Sequence, residues 1–290
     1  MSPLLFLFIG VFYLCLSALL MAVNGIVLLI LLRKKSFSNG TFLVIKHICL
    51  TCIIQLLCFF VSGVMTVFRY NFGFYFEKML GAVLLAGWFL YILLSLTLAV
   101  DRLAIFLFMK RTNAFGFVRK LLLTCSWLVF TACVVVLNLP TLSITYSQDS
   151  NYLTWVYSAE ARSELLIVEE SIDFAVLSAI LICYVAIFVL IFTKRQRNAN
   201  EEEDNHRAEK RILFVSVFSF LFDGFSVFCG CFVLPLVSLE EVTLVIVSFL
   251  WITGAGVFSI IIIVLNSSIR KSLQSFLFKS KVSVIYVTTT

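Results

Sequence analysis

SLTLAVDRLAIF, residues Ser95–Phe106, sets an acid and a base side by side near the end of an apolar stretch. The run that leads into it from Met79 carries no charge. A charged side chain at membrane depth costs about 3 kcal/mol unless it is paired or reaches water. Asp101 and Arg102 therefore mark the place where one apolar helix meets an aqueous boundary.

The rest of the chain supports that reading. Its 290 residues are 62% hydrophobic and only 13% charged, whereas soluble domains are about half apolar and about a quarter charged. Such a composition excludes a soluble globular fold. Seven runs are long enough to span about 30 Å of hydrocarbon as helix: Leu4–Leu32, Ile48–Phe68, Met79–Phe108, Leu121–Tyr146, Ile172–Thr193, Ile212–Val237 and Val242–Leu265. Each is apolar on all faces, without the alternation of a membrane β-barrel strand. The first run has no basic segment before it and is expected to be an uncleaved signal-anchor helix. After the seventh, Ser267–Phe278 places Ile269, Leu273, Phe276 and Leu277 on one helical face beside Arg270 and Lys271. That pattern predicts a short helix lying at the membrane interface. The fold class is all-α: a seven-helix membrane bundle over residues 1–278, its interfacial helix included, and a short tail over 279–290.

Lys and Arg predict the orientation. Nineteen of the 22 basic residues fall in the loops after runs one, three, five and seven, and only Arg69, Lys78 and Arg162 fall on the other side. The basic side is read as cytoplasmic, with the N-terminus outside and the C-terminus inside. The net charge of +6 follows from this asymmetry and calls for no nucleic-acid partner. Asn39 and Asn266 match the glycosylation pattern but lie on the cytoplasmic side and are expected to stay unmodified.

The nine cysteines all sit in apolar runs, where they read as small hydrophobes. No spacing of Cys, His, Asp or Glu suits a metal, and no cofactor is expected. The sequence has no nucleophile elbow, phosphate loop or catalytic pair, so an enzyme is not expected.

Taken together, seven spans, an outside N-terminus, an acid–Arg pair at the inner end of span three and an interfacial helix after span seven resemble a rhodopsin-like G-protein-coupled receptor. AVDRLAIF resembles that family's acid–Arg–aromatic motif, with Leu103 in the aromatic place. NGIVLLILLR resembles its span-one Asn motif through Asn24, and Trp127 falls where span four usually carries tryptophan. FCGCF, Phe228–Phe232, with Pro235 resembles the span-six motif, its proline one residue late. Phe258, Ser259 and Ile262 replace the usual Asn, Pro and Tyr of span seven. Gln55 replaces the usual acid of span two. Glu77 stands where a cysteine would begin the family's outer disulfide. These departures, the short N-terminus, WITG at Trp251–Gly254 and LNSSIRKSL resemble the nematode serpentine chemoreceptors of class T or class X.

The resemblance implies roles. Arg102 would pair with Asp101 at rest and meet a heterotrimeric G protein when active; plain snorkelling at a helix end is the alternative. Asn24 and Gln55 are expected to hydrogen-bond between helices. Asp223, an acid well inside span six, is expected to do the same, with proton transport as the alternative and no ligand contact. Leu84, Trp88, Phe232 and Trp251 occupy positions that resemble the family's pocket; packing is the alternative for the aromatics. Leu84 stands where amine receptors carry an acid, so an apolar or weakly polar small ligand is expected. Competing readings are a transporter, a receptor-like chain that has lost coupling, or a channel subunit of inverted topology.

Overall fold

The computed structural model describes residues 3–34, 37, 40–108, 113–148, 153–158, 162–197, 203–233 and 240–275. Its helices are α1 Pro3–Arg33, α2 Gly40–Phe68, α3 Phe74–Phe108, α4 Asn113–Leu137, α5 Arg162–Arg197, α6 Glu203–Phe228 and α7 Glu240–Leu265. A π-helical turn, Cys229–Val233, continues α6, and a short helix α8 covers residues 267–275. Two strands, β1 Ile144–Ser147 and β2 Thr154–Tyr157, form an antiparallel hairpin between α4 and α5. Seven of the helices are long and apolar enough to cross a membrane. The chain is a multi-pass membrane protein.

Hydropathy located the helices but not all of their ends, because a helix need not stop where hydrocarbon does. α2 begins at Gly40 rather than Ile48, and α5 at Arg162 rather than Ile172. α4 ends at Leu137, nine residues before the expected Tyr146. Pro140 has no N–H and cannot continue a helix; the β-branched stretch after it, with Ile144 and Thr145, becomes β1. Of the expected interfacial face, Ile269 is fully buried and Leu273 packs against the core, while Phe276 and Leu277 lie outside the described residues. Asn266, half of a glycosylation pattern in the sequence, caps α8: its Oδ1 accepts the backbone N–H groups of Ser268 (3.1 Å) and Ile269 (3.3 Å). Lys34 donates to Ser272 Oγ at 2.8 Å, tying α8 to the end of α1.

The core has two parts. The larger runs through α1, α2, α3, α4 and α7, takes in Ile212 and Val215 of α6 and reaches the hairpin. The smaller joins α3, α5 and α6 around Ala99, Ile180, Tyr184, Ile187 and Leu213.

The two ends of the bundle are held in different ways. At the hairpin end no disulfide ties the strands; all nine cysteines are free, and Cys15 and Cys125 face outward. Polar contacts and close packing hold them instead. Glu77, in the place of the missing cysteine, faces the backbone amide of Tyr146. Tyr146 Oη shares a 2.7 Å hydrogen bond with Thr66 Oγ1 of α2. Ser248 of α7 donates to Thr154 at 2.9 Å, and the Tyr157 hydroxyl donates to Glu169 of α5. Burial pushes the Tyr146 and Tyr157 phenols above their ordinary value, so both keep their protons.

Gly81 of α3 is what lets β1 come so close. A Cβ there would lie 2.3 Å from the Ile144 carbonyl oxygen, a backbone atom that cannot step aside alone. Gly81→Val should lower stability by about 1–3 kcal/mol through overpacking. Gly25→Ala, where a Cβ meets nothing within 4 Å, should be neutral or stabilising by up to about 1 kcal/mol. Thermal unfolding of the two variants in the same detergent checks the contrast.

Candidate functional site

At the end opposite the hairpin, Asp101 holds three helices together. Its Oδ2 accepts the Thr41 hydroxyl of α2 at 2.6 Å and Arg102 Nη2 at 3.2 Å, and its Oδ1 accepts Arg119 Nη1 of α4 at 3.0 Å. Arg102 Nη2 also donates to Thr41 Oγ1. Arg102 is fully buried, so a side chain snorkelling to water does not describe it. The expected pair is thus a four-residue clasp.

Arg119 and Thr41 were not singled out in the sequence. The signal for Arg119 was thin: one of two bases at the start of span four. Its seat depends on Gly40, since a Cβ at that position would lie 1.7 Å from the Arg119 guanidinium carbon. The lack of a side chain at the first residue of α2 is what opens the route from α4 to Asp101.

Along the middle of the bundle, the expected polar residues do cross between helices. Asn24 donates to the carbonyls of Leu20 (2.9 Å) and Ala255 (3.3 Å) and accepts Ser259 Oγ at 2.5 Å. Ser259 also lies 3.6 Å from Cys49 Sγ, so one of the departing span-seven positions links α1, α2 and α7. Gln55 donates to the Gly87 carbonyl at 3.3 Å and accepts Trp251 Nε1 at 3.0 Å. Asp223 accepts the Tyr91 hydroxyl at 3.0 Å, and Tyr91 is 2.9 Å from Ser219 Oγ. Trp127 donates to His47 Nδ1 at 3.2 Å.

Beneath the hairpin lies a cavity of about 280 Å³. Leu84, Trp88 and Trp251 line it, as do Trp155 and Tyr157 of the hairpin. Trp88 stacks on Tyr91 at 5.9 Å between ring centres and meets Trp251 edge-on at 6.3 Å. Phe232 does not line the cavity. It is half exposed on the outer face of α6 and packs against Phe228 and Phe174. The π-helical turn explains the difference: it adds a residue to the turn and presents Gly230 and Cys231 to the cavity instead. Pro235 lies outside the described residues.

The lining also corrects the reading of its charge. Asp223 forms the expected interhelical bond, yet it also lines the cavity, and Glu169, Glu170 and Asp173 reach it from α5. Asp173 Oδ1 accepts Trp88 Nε1 at 2.9 Å. An apolar run that starts at Ile172 leaves Glu169 and Glu170 in a loop, and Asp173, its second residue, does not stand out alone. Their spacing, four residues from Glu169 to Asp173, puts both on one helical face and was the available signal. A second void of about 10 Å³, room for about one water, lies below Asp223 against Ser95, Tyr184 and Ser216.

An acid–Arg clasp at one end, a covered cavity at the other and seven crossing helices between them define a seven-helix receptor of the rhodopsin kind. The crystal structure of squid rhodopsin superposes with a TM-score of 0.76 over 96% of this chain and 87% of that one, at 14% identity, a likeness of fold. The family described as serpentine type 7TM GPCR chemoreceptor Srt matches residues 5–285. The chain belongs to that family. Comparison with curated proteins finds no match.

Gly40 and Arg119 should behave as one unit. Gly40→Ala displaces the flexible end of Arg119 from Asp101, and Arg119→Ala removes it. The double variant should then lose little beyond either single one. A double-mutant cycle on thermal stability should return a coupling of about 0.5–3 kcal/mol; strict additivity would mean that Gly40 does not seat Arg119.

Proposed function

We propose that this chain is a chemosensory receptor of the plasma membrane. Its N-terminus lies outside and its C-terminus in the cytoplasm. A small molecule binds in the cavity under the hairpin, and a heterotrimeric G protein engages the clasp end. The observation that carries this reading is one helix with two jobs: α3 lines the cavity with Leu84 and Trp88 and holds the clasp with Asp101 and Arg102. Fourteen residues of helix, about 21 Å, separate Trp88 from Arg102. The bundle thus carries a covered site and a charged switch on one rigid element.

The switch has a physical basis. Arg102 is buried without reaching water and is held by a carboxylate that it shares with Arg119. Two alternative partners for one charge make a two-state element. α5 and α6 share the smaller core with α3, and Asp223 of α6 touches both the cavity and the void beneath it. A ligand that favours one position of α6 shifts the balance by its differential affinity for the two states. The basic-residue asymmetry supports placing the clasp end in the cytoplasm.

Burial decides which variant is informative. Removing one member of a buried pair costs about 3–5 kcal/mol, so Asp101→Asn should express poorly. Arg119, with a partly exposed side chain, is the gentler probe. Arg119→Ala should raise basal G-protein activation by a modest factor, about tenfold at most. Arg102→Ala leaves Asp101 paired with Arg119, so it should reach the surface and bind ligand yet signal weakly. The deciding experiment is G-protein activation in cells exposed to odorant fractions. A tag before Met1 should label on intact cells and a tag after Thr290 only after permeabilisation. Ligand binding with no G-protein response in the unaltered chain would instead favour a receptor-like protein that has lost coupling, in line with Phe258, Ser259 and Ile262 at the span-seven motif.

A further inference from the structure

The cavity's lining is chemically one-sided. Asp173 and Asp223 are buried, Glu169 is half-buried, and all three line it. Among the described residues, no Lys, Arg or His lines it. Each of these carboxylates has one side-chain donor among the described residues, and every such donor is a neutral aromatic: Tyr157 to Glu169, Trp88 to Asp173, Tyr91 to Asp223. A neutral hydrogen bond orients a carboxylate but does not cancel its charge. Elsewhere the bundle does neutralise its acid, since Asp101 has two arginines. An acid buried in low dielectric without a cation is neutralised by a proton rather than left charged, and no cation among the described lining residues is there to let it ionise.

The rest of the lining fits the same occupant. Trp88 and Trp251 bring indole rings to the lining, and an indole's π-surface attracts organic cations. Trp155 has a buried indole N–H with no hydrogen-bond partner among the described residues, which suits a ligand that also carries an acceptor. At about 280 Å³ the space lies at the small end for ligand sites. Anions are opposed by the carboxylates. A neutral ligand would gain nothing from their charge, whereas a cation would.

We propose that the cavity takes a small organic cation, a protonated amine or quaternary ammonium, with its charged head between Glu169 and Asp173 and its apolar body against Trp88 and Trp251. This rests on the reading of the cavity as the ligand site and replaces the expectation of an apolar ligand. That expectation followed from Leu84 on α3; the acids come instead from α5.

The test is thermal unfolding of the purified full-length protein with four probes of similar size: phenethylamine, phenyltrimethylammonium, phenethyl alcohol and phenylacetate. The two cations should raise the unfolding midpoint with dose, and the alcohol and the carboxylate should not. Asp173→Asn, which keeps the acceptor for Trp88, and Glu169→Gln should each weaken the amine's apparent affinity by about 10- to 100-fold, the loss of a charge-assisted hydrogen bond. Val247→Lys alters neither acid and brings an ammonium of the chain's own to the cavity wall. It should raise the midpoint by itself and abolish the response to amines, which keeps the test decisive if the acid variants do not fold. Equal stabilisation by phenethyl alcohol, no stabilisation by either cation, or a full amine response in Val247→Lys would overturn the proposal. Failure of this proposal and failure of the receptor reading separate cleanly. A neutral odorant that drives G-protein activation through this cavity overturns the cation class alone. Amine binding without any G-protein output leaves the cation site standing and overturns the signalling role.

Discussion

One carboxylate organises the charged end of this bundle. In lipid, helices gain little from burying apolar surface against one another, because the tails around them are just as apolar. Association then leans on close packing and on polar groups that cannot be left unpaired. Asp101 meets that constraint by accepting from Thr41, Arg102 and Arg119, so that α2, α3 and α4 share one charge. The absence of a side chain at Gly40 is part of the same device, since the space above it is filled by a guanidinium.

The polar residues higher in the bundle repeat that logic with neutral partners. Asn24 and Ser259 join α1 to α7, Gln55 joins α2, α3 and α7 through Gly87 and Trp251, and Tyr91 with Asp223 joins α3 to α6. These contacts spread unevenly. The larger core unites α1, α2, α3, α4 and α7 and takes in Ile212 and Val215 of α6, whereas the smaller one joins α5 and α6 to α3.

Much of the fold was legible because hydrocarbon thickness sets the length of a spanning run and a charge at its end is expensive. Those rules located seven helices, the interfacial eighth and the Asp101–Arg102 pair. They gave no access to features set by geometry between segments. Thr41 and Arg119 are ordinary residues in the sequence and become partners of Asp101 only when α2 and α4 pack on α3. The β1–β2 hairpin was hidden in an apolar tail that reads as more helix until Pro140 is given its weight. Glu169 and Asp173 were divided between a loop and a span, because hydropathy ended α5 ten residues short of Arg162. Phe232 was misplaced because a π-helical turn rotates the residues after it, a change that no periodicity of the sequence displays.

The hairpin's attachment has a bearing on time as well as shape. It covers the cavity through hydrogen bonds and packing, Thr66 with Tyr146, Ser248 with Thr154, Tyr157 with Glu169, and not through a covalent bridge. Each such bond is worth only about 1 kcal/mol net. A cover tethered in this way is held by small, separable contacts, so the residence of the ligand proposed above would be set by them and not by a fixed covalent frame. For that ligand, fast exchange would let occupancy follow a changing concentration closely, whereas a tightly closed cover would average it.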